Sequence, residues 1–234
     1  MNWILGIDTS STDLSVGLFR GDEPVASYAR FLRNSHAEHI AQAVSFLLHS
    51  CGAGPAEITH VALAAGPGSF TGLRIGFAFV KGFCLAGRVK VLPVSSLFVL
   101  AHCALGRTAS AVAAIDARRG EVFWARFSIH GTPIKRETED SAGPADMFRE
   151  SLSPDDTIVI DTLGYSQSTA FDFLSGRPGV LTARHCPVQR GLCCAAAGAA
   201  AAGDSTLWKN SGEALPEYLR SFTSPVFTKG AAAR

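Results

Sequence analysis

The sequence predicts an α/β protein of two similar lobes, and three observations carry that prediction. Each half of the chain runs through one element order, βββαβαβα, read from hydrophobic periodicity and turn signals. Each half opens on an apolar strand ending in an aspartate, Asp8 in the first and Asp116 in the second. The leading strands of each half are joined by turns so short that they must pair as antiparallel hairpins.

In the first half, Trp3 to Ile7 is an apolar run that reads as a buried strand, and Thr9 to Asp13 is a polar turn. Leu14, Val16 and Leu18 alternate with Ser15 and Gly17 as a second strand, Gly21-Asp22 turns the chain, and Val25 to Arg30 is a third. A helix follows, with Ser35 and Glu38 at capping-box spacing, an apolar face of Ile40, Val44, Leu47, Leu48 and Cys51, and Gly52 as its stop. Val61 to Ala65 is a strand, Thr71 to Ala86 a helix, Val89 to Val94 a strand and Ser95 to Leu105 a helix. In the second half, Ala111 to Ile115 is the leading strand, and Glu121 to Ile129 and Ile134 to Thr138 are the next two. A short helix over Pro144 to Ser151, the strand Thr157 to Ile160, a helix near Ser166 to Leu174, the strand Val180 to Ala183 and an Ala-rich helix from Gln189 to Ala202 complete the order.

The 234 residues are 47% apolar and 18% charged, which excludes intrinsic disorder and supports a sizeable core. Twenty-one Lys+Arg against 20 Asp+Glu leave a net charge of +1. That balance lacks the basic excess of a free-standing nucleic-acid binder, and it sets little repulsion between copies. Met1 to Asp8 lacks the basic start of a secretory signal. Leu73 to Ala86 is interrupted by Arg74 and Lys81 and falls short of the ~20 residues of a spanning helix. A cytoplasmic protein without membrane contact is expected. The six cysteines (51, 84, 103, 186, 193 and 194) show no C-x-x-C spacing and read as reduced thiols, with Cys193-Cys194 as small helix residues.

Three groups of residues are candidates for chemistry or contact. Asp8 and Asp116 each either hold a metal or water beside a phosphate or fix a tight turn; for Asp116, with Arg118 and Arg119 filling the turn, the turn reading is preferred. AGPGSFTGLRIG (Ala65 to Gly76) leaves a strand, turns on Gly66-Pro67-Gly68 and starts a helix capped by Ser69 or Thr71. Such a helix start attracts anions, so Asp8, Ser10, Gly66, Gly68, Ser69 and Thr71 form a candidate residual nucleotide or phosphate site. It has neither the Gly-Lys-Ser/Thr of a P-loop nor the dinucleotide G-x-G-x-x-G spacing.

The helix that follows is apolar all round, which requires cover on every side. Small residues at Gly72, Gly76, Ala78, Gly82 and Ala86 form strips on which another backbone can lie close. Ala43 and Phe46 lie off the main apolar face of the preceding helix. His36 and His39, three apart, fit an exposed or partner-contacting helix start better than a metal site. Either the two helices cover each other inside the domain or they meet another chain; on the second and preferred reading the partner surface is His36, His39, Ala43, Phe46, Arg74, Ile75, Ala78, Phe79 and Gly82. No serine or cysteine has the flanking pattern of a nucleophile.

ILGIDTSS (Ile4 to Ser11), NSHAEHI (Asn34 to Ile40), AGPGSFTGLRIG, LPVSSL (Leu92 to Leu97), IDARRGEVF (Ile115 to Phe123) and PEYLR (Pro216 to Arg220) together resemble the TsaB (YeaZ) family of bacterial tRNA threonylcarbamoyladenosine synthesis. The resemblance implies an actin-like/Hsp70-like ATPase (RNase H-like) fold. Residues 1–108 would form the first lobe carrying the partner-binding helices, and 109–234 the second and smaller lobe, with the helix over 189–203 packing back on the first. It implies a non-catalytic subunit, with no intrinsic cofactor, that pairs with the catalytic paralogue TsaD and works with the ATPase TsaE. ATP or ADP would bind at the complex interface and tRNA through the assembled complex, with a homodimer as the competing association. The catalytic paralogue's two metal histidines, four apart, have no counterpart in Ser95-Ser96-Leu97-Phe98-Val99-Leu100, and the glycine-rich second phosphate loop of the ATPases is IDARRG here. Two other readings compete: a small ATP-dependent phosphotransferase using Asp8 and the 66–72 loop, and a metallopeptidase using His36 and His39.

Overall fold

Two mixed β-sheets form the frame of the protein, each six-stranded. The computed structural model describes residues 2–32, 35–85, 87, 89–130, 134–163, 168–183 and 190–217. The first sheet contains β1 (Trp3–Asp8), β2 (Asp13–Arg20), β3 (Glu23–Phe31), β4 (Ile58–Gly66), β5 (Lys90–Ser95) and β12 (Lys209–Asn210). Its spatial order is β12-β5-β4-β1-β2-β3. The leading three strands pair antiparallel, while β4 and β5 run parallel to β1. Helices α1 (His36–Ser50) and α2 (Phe70–Cys84) supply the crossovers that parallel neighbours require.

The second sheet repeats the scheme with β6 (Ser110–Arg118), β7 (Glu121–Ser128), β8 (Lys135–Arg136), β9 (Ser141–Pro144), β10 (Thr157–Asp161) and β11 (Val180–Thr182). Where one third strand is expected, two short ones pair with opposite ends of β7: β8 with Phe127 and Ser128, β9 with Glu121 to Trp124. Between them the backbone leaves the ladder, and the Thr138 hydroxyl accepts the Arg126 N–H in its place.

Strand alternation divides the first sheet into two faces. Leu5, Ile7, Val16 and Leu18 join one core with Ile40, Val44 and Leu47 of α1 and Phe77 and Val80 of α2. On the opposite face, Ile4, Phe19, Ala62 and Ala64 meet α5 (Arg190–Ala201), which belongs to the second half of the chain. The exchange is reciprocal. Leu97, Leu100 and Ala101 of α3 (Ser96–Ala101), from the first half, pack on Ala111, Ala113, Ile115 and Val159 of the second sheet. Each lobe thus covers one face with a helix from the other half, which ties the lobes together. The other face of the second sheet carries Phe148 of α4 (Ala145–Glu150) with Phe171 and Leu174.

Glycine decides how closely α5 lies on its sheet. Gly6 and Gly17 are register partners on β1 and β2, and a Cβ at either would stand 2.0 Å from the Gly191 carbonyl or 2.4 Å from the Leu192 backbone. Helix and sheet backbones are therefore in direct contact, and the Gly191 N–H donates to Ser15 Oγ at 2.9 Å.

Some expectations change. Ser35 precedes α1 without a side-chain cap, and only its carbonyl accepts the Glu38 N–H, so the capping box does not form. Gly52, at φ +65°, does end that helix, donating to the His49 carbonyl. Of the helix expected near 166–174, the described residues hold a single tight turn over Asp172–Leu174, pinned by the buried Leu174. Asn34, Ala86, Ser166, Cys186, Gln189 and the last three residues of PEYLR lie outside the described residues.

Candidate functional site

Asp8 ends β1 on the face that α5 covers, and it is wholly buried. Its Oδ1 accepts the Ser10 N–H at 2.7 Å and the Ser10 hydroxyl at 2.6 Å. Its Oδ2 accepts Nε of Arg190 at 2.6 Å. The same guanidinium donates through Nη1 to Asp161 Oδ2 at 2.6 Å and through Nη2 to Ser10 Oγ at 3.0 Å. Asp161 ends β10, the parallel neighbour of β6, so Arg190 joins the last residue of a strand in each of the two sheets. The Ser11 hydroxyl also donates to Asp161 Oδ2, and the Leu163 N–H to Oδ1. Burial works against the Arg190 charge, but Asp8 and Asp161 outweigh it and raise its pKa further above the ordinary arginine range. Charge-assisted bonds to two carboxylates satisfy the fork of donors in the way a buried arginine requires.

The loop after β4 closes over this cluster. The Ser69 N–H donates to the Ser10 carbonyl at 2.7 Å, and the Thr9 hydroxyl donates to the Gly72 carbonyl at 2.8 Å. A Cβ at Gly72 would lie 2.0 Å from the Thr9 carbonyl oxygen, so the start of α2 rests directly on the first turn. Ser69 is the cap, its Oγ accepting the Gly72 N–H, while Thr71 is exposed. Of the residues proposed for a phosphate, Gly66 lies against the Glu217 backbone and Thr71 is exposed, whereas Asp8, Ser10, Gly68 and Ser69 come together, but with each other and Arg190. Beside them, burial pushes the Asp13 carboxyl up, Arg190 opposing and Asp161 and Asp8 reinforcing. Burial also lowers the pKa of His36.

Asp116 behaves as a turn former. Its Oδ1 accepts the Arg118 N–H at 2.6 Å, and Arg118 and Arg119 both adopt left-handed backbone, at φ 67° and 57°. Among the described residues, no three His, Cys, Asp or Glu side chains cluster as a metal site.

The expected partner surface splits into interior and exterior parts. Ala43 is 4% exposed and His36 6%, so both belong mainly to the interior, with Ala43 reaching only the floor of a groove beside β3. The small-residue strip of α2 divides likewise: Gly72 and Gly76 press on Thr9 of the same chain, whereas Ala78 and Gly82 are exposed and a Cβ at Gly82 would meet nothing within 4 Å. α2 is therefore not covered all round. Exposed Arg74, Ala78, Gly82 and Leu85, with half-buried Ile75, Phe79 and Phe83, make one apolar face. Arg74 stacks over the Phe70 ring at 4.8 Å. Phe46, 61% exposed, and His39 lie on the side of α1 that faces β3.

Sequence reasoning passed over Arg190 and Asp161, the two residues that complete the cluster. Both carried a signal. Ile160-Asp161 repeats the Ile-Asp strand ending of Ile7-Asp8 and Ile115-Asp116, and Arg190 is the one charged residue of an otherwise small and apolar helix.

Comparison with known proteins places this geometry. The family model described as "TsaD: tRNA N6-adenosine threonylcarbamoyltransferase" matches residues 30–169, more than half of the chain. The tRNA threonylcarbamoyladenosine biosynthesis protein TsaB of Bacillus subtilis is 38% identical over 70% of this chain and 72% of its own. TsaB of Escherichia coli is 36% identical over 53% of this chain and 54% of its own. The solved YeaZ of Pseudomonas aeruginosa superposes with a TM-score of 0.76 at 28% identity, covering 94% of this chain and all of that one. A second Pseudomonas aeruginosa structure, described as similar to peptidase YeaZ, gives 0.78 at 26% identity over the same shares. The ethanolamine utilization protein EutJ of Carboxydothermus hydrogenoformans, at 15% identity and a TM-score of 0.50, shares the fold alone. The architecture is the two-lobed actin-like ATPase fold. By its sequence matches and its structure, the chain belongs to the TsaB (YeaZ) family.

Proposed function

We propose that this chain is a non-catalytic subunit of bacterial tRNA threonylcarbamoyladenosine formation, acting in the cytoplasm. The observation that carries the reading is Arg190 between Asp8 and Asp161. Between two such lobes, a carboxylate at the end of the first strand can hold a metal or water beside a phosphate. Here it faces an internal cation that stays charged at every accessible pH. The two lobes are held by a residue of the chain itself, so their closure needs no ligand and nothing is left to cycle.

The apolar face of α2 is the docking surface in this reading, and the partner is a catalytic paralogue of the TsaD type, with a TsaE-type ATPase in the larger assembly. Exposed Ala78 and Gly82 let a partner helix come close, with Arg74 and Lys81 at the rim. ATP or ADP belongs to the interface of that complex, and tRNA is held by the assembly, consistent with a net charge of only +1. No helix among the described residues is long and apolar enough to cross a membrane.

Reconstitution of tRNA threonylcarbamoylation from the catalytic paralogue, with and without this chain, tests the reading. The modification should depend on the chain and should be lost with Ala78→Arg, which should also abolish co-elution of the two proteins while leaving the unfolding midpoint unchanged. ATP turnover or peptide hydrolysis by the purified chain, abolished by Asp8→Asn or His39→Ala, would overturn it. Sedimentation of the free chain tells a homodimer on the same face from the heteromer.

A further inference from the structure

The edge of the first sheet opposite β12 is β3, whose only strand partner among the described residues is β2. From Val25 to Arg30, alternate N–H and C=O groups therefore point away from the sheet, a template for another strand. Directly beside this edge lies a groove of about 290 Å³ between β3 and α1, lined by Tyr28, Arg30, His39, Gln42, Ala43 and Phe46. It is separate from the α2 face: α1 lies over β2 and β3, α2 lies over β4, and the groove opens on the side of α1 away from α2.

The lining has a definite chemistry. Tyr28 and Phe46 meet edge to face, with ring centroids 5.7 Å apart, forming an apolar wall whose outer half, Phe46, is exposed. Arg30 stands two residues along the strand from Tyr28, on the same face, and forms no ion pair among the described residues. His39 keeps a buried Nδ1 without a hydrogen-bond partner among the described residues. No carboxylate lines the groove. A monomer gains nothing by holding an unpaired guanidinium, a half-exposed aromatic pair and an orphaned imidazole nitrogen beside a free strand edge.

We propose that β3 accepts an extended peptide segment of a partner protein by strand addition. The segment places an apolar side chain between Tyr28 and Phe46, and, two residues along, an acidic side chain against Arg30 and His39. The strand edge supplies backbone hydrogen bonds, and the groove reads the alternate side chains. The spacing follows from the period of two in a strand, so the expected signature is apolar-x-acidic. A basic residue in the acidic position would set like charges together.

The test is fluorescence anisotropy with a labelled synthetic peptide as long as β3, alternating Thr and Val around a central Phe-Thr-Glu. Saturable binding at about 100 µM or tighter is expected from the full chain, the range open to a short strand that must be ordered on binding. Arg30→Glu should weaken it about tenfold, and a peptide with Lys in place of Glu should restore binding to Arg30→Glu alone. Phe46→Ala should also weaken it. Both positions are on the surface, and an unchanged unfolding midpoint confirms that each variant is folded. Absence of saturation to about 1 mM, or equal binding of the Glu and Lys peptides by the unaltered chain, overturns the proposal. So does a homodimer in sedimentation that Arg30→Glu disperses, which would assign the edge to a second copy. The α2 reading stands or falls separately, on Ala78→Arg in the modification assay.

Discussion

The two halves of this chain begin alike and use their first aspartates differently. Asp8 ends β1 and Asp116 stands two residues before the end of β6, each after an isoleucine and at the mouth of a hairpin. Asp116 bonds to its own turn, through the Arg118 N–H. Asp8 also bonds to its own turn, through Ser10, but its second oxygen is committed to Arg190, 182 residues away. What separates them is the helix that the opposite half delivers. α5 brings a cation to the first turn, whereas the nearest residues of α3 bring apolar side chains to the second sheet. A repeated fold therefore need not repeat its site: a carboxylate at one topological position becomes a bridge or a turn former according to what packs across it.

Arg190→Ala tests that difference most severely. It leaves Asp8 and Asp161 buried without a counter-charge, and the loss should be about 3–5 kcal/mol of unfolding free energy in urea. Adding Asp8→Asn and Asp161→Asn to Arg190→Ala should recover much of the loss, because the uncompensated charge is the dominant cost. If Arg190→Ala costs no more than Arg118→Ala, the bridge does not organise the lobes and the comparison fails.

How much of this was legible in the sequence depends on the distance over which a residue acts. The leading hairpins, the start of α2 at Ser69 and the stop of α1 at Gly52 follow from neighbours within a few positions, and they stand where periodicity and turn chemistry put them. The close fit of Gly72 and Gly76 was visible as a pattern of small residues, but not what they fit against: half of the strip meets Thr9 of the same chain and half remains open. Ala43 and Phe46 are three apart on α1, yet one is core and the other surface, because the boundary of the buried stripe falls between them. The bridge was least legible. Its members come from β1, β10 and α5, and no local rule links Asp8 to a residue near the far end of the chain.

The contact that aims Arg190 can be perturbed without touching a charge. A Cβ at Gly191 would stand 2.6 Å from the Ser15 backbone, so Gly191→Ala must lift α5 from the sheet. Overpacking of that kind costs about 1–3 kcal/mol, and here the displaced guanidinium adds to it. Gly82→Ala is the control on α2. It meets open space, and it should stabilise the protein by up to about 1 kcal/mol because alanine loses less backbone entropy in a helix. A loss at Gly191 no larger than the gain at Gly82 would mean that α5 can shift freely, and that the position of Arg190 is not imposed by helix packing.

Acidification probes the first turn from another side. His36 packs beside it, and burial lowers its pKa below the ordinary imidazole value of 6.5, with the backbone of Asp13 and the charges of Asp8 and Asp13 opposing. In the unfolded chain the imidazole titrates near 6.5, so below that pH the unfolded state binds the proton that the native state resists. The unfolding free energy should therefore fall as pH drops through 6.5 and level off once the native His36 is protonated. His60 and His102 are lowered by burial too and contribute in the same direction. The readout is thus the difference between the native chain and His36→Gln, whose urea midpoint should depend less steeply on pH over this window. Parallel pH profiles would show that His36 pays no penalty for its burial.

The smallest effects belong to the second turn. The Arg118 N–H is held by Asp116 Oδ1, and an asparagine presents a carbonyl oxygen in the same place. Asp116→Asn should therefore change the unfolding free energy by no more than about 0.5 kcal/mol, while Asp116→Ala, which strands the N–H and leaves two left-handed arginines unsupported, should cost about 1 kcal/mol. Asp8→Asn, by contrast, removes a counter-charge from a buried guanidinium, and its cost should approach that of a broken buried ion pair at about 3 kcal/mol. The ratio of the two asparagine substitutions is the quantitative form of the comparison. If it approaches one, Asp8 is a turn former like Asp116, and Arg190 is held in place by Asp161 alone.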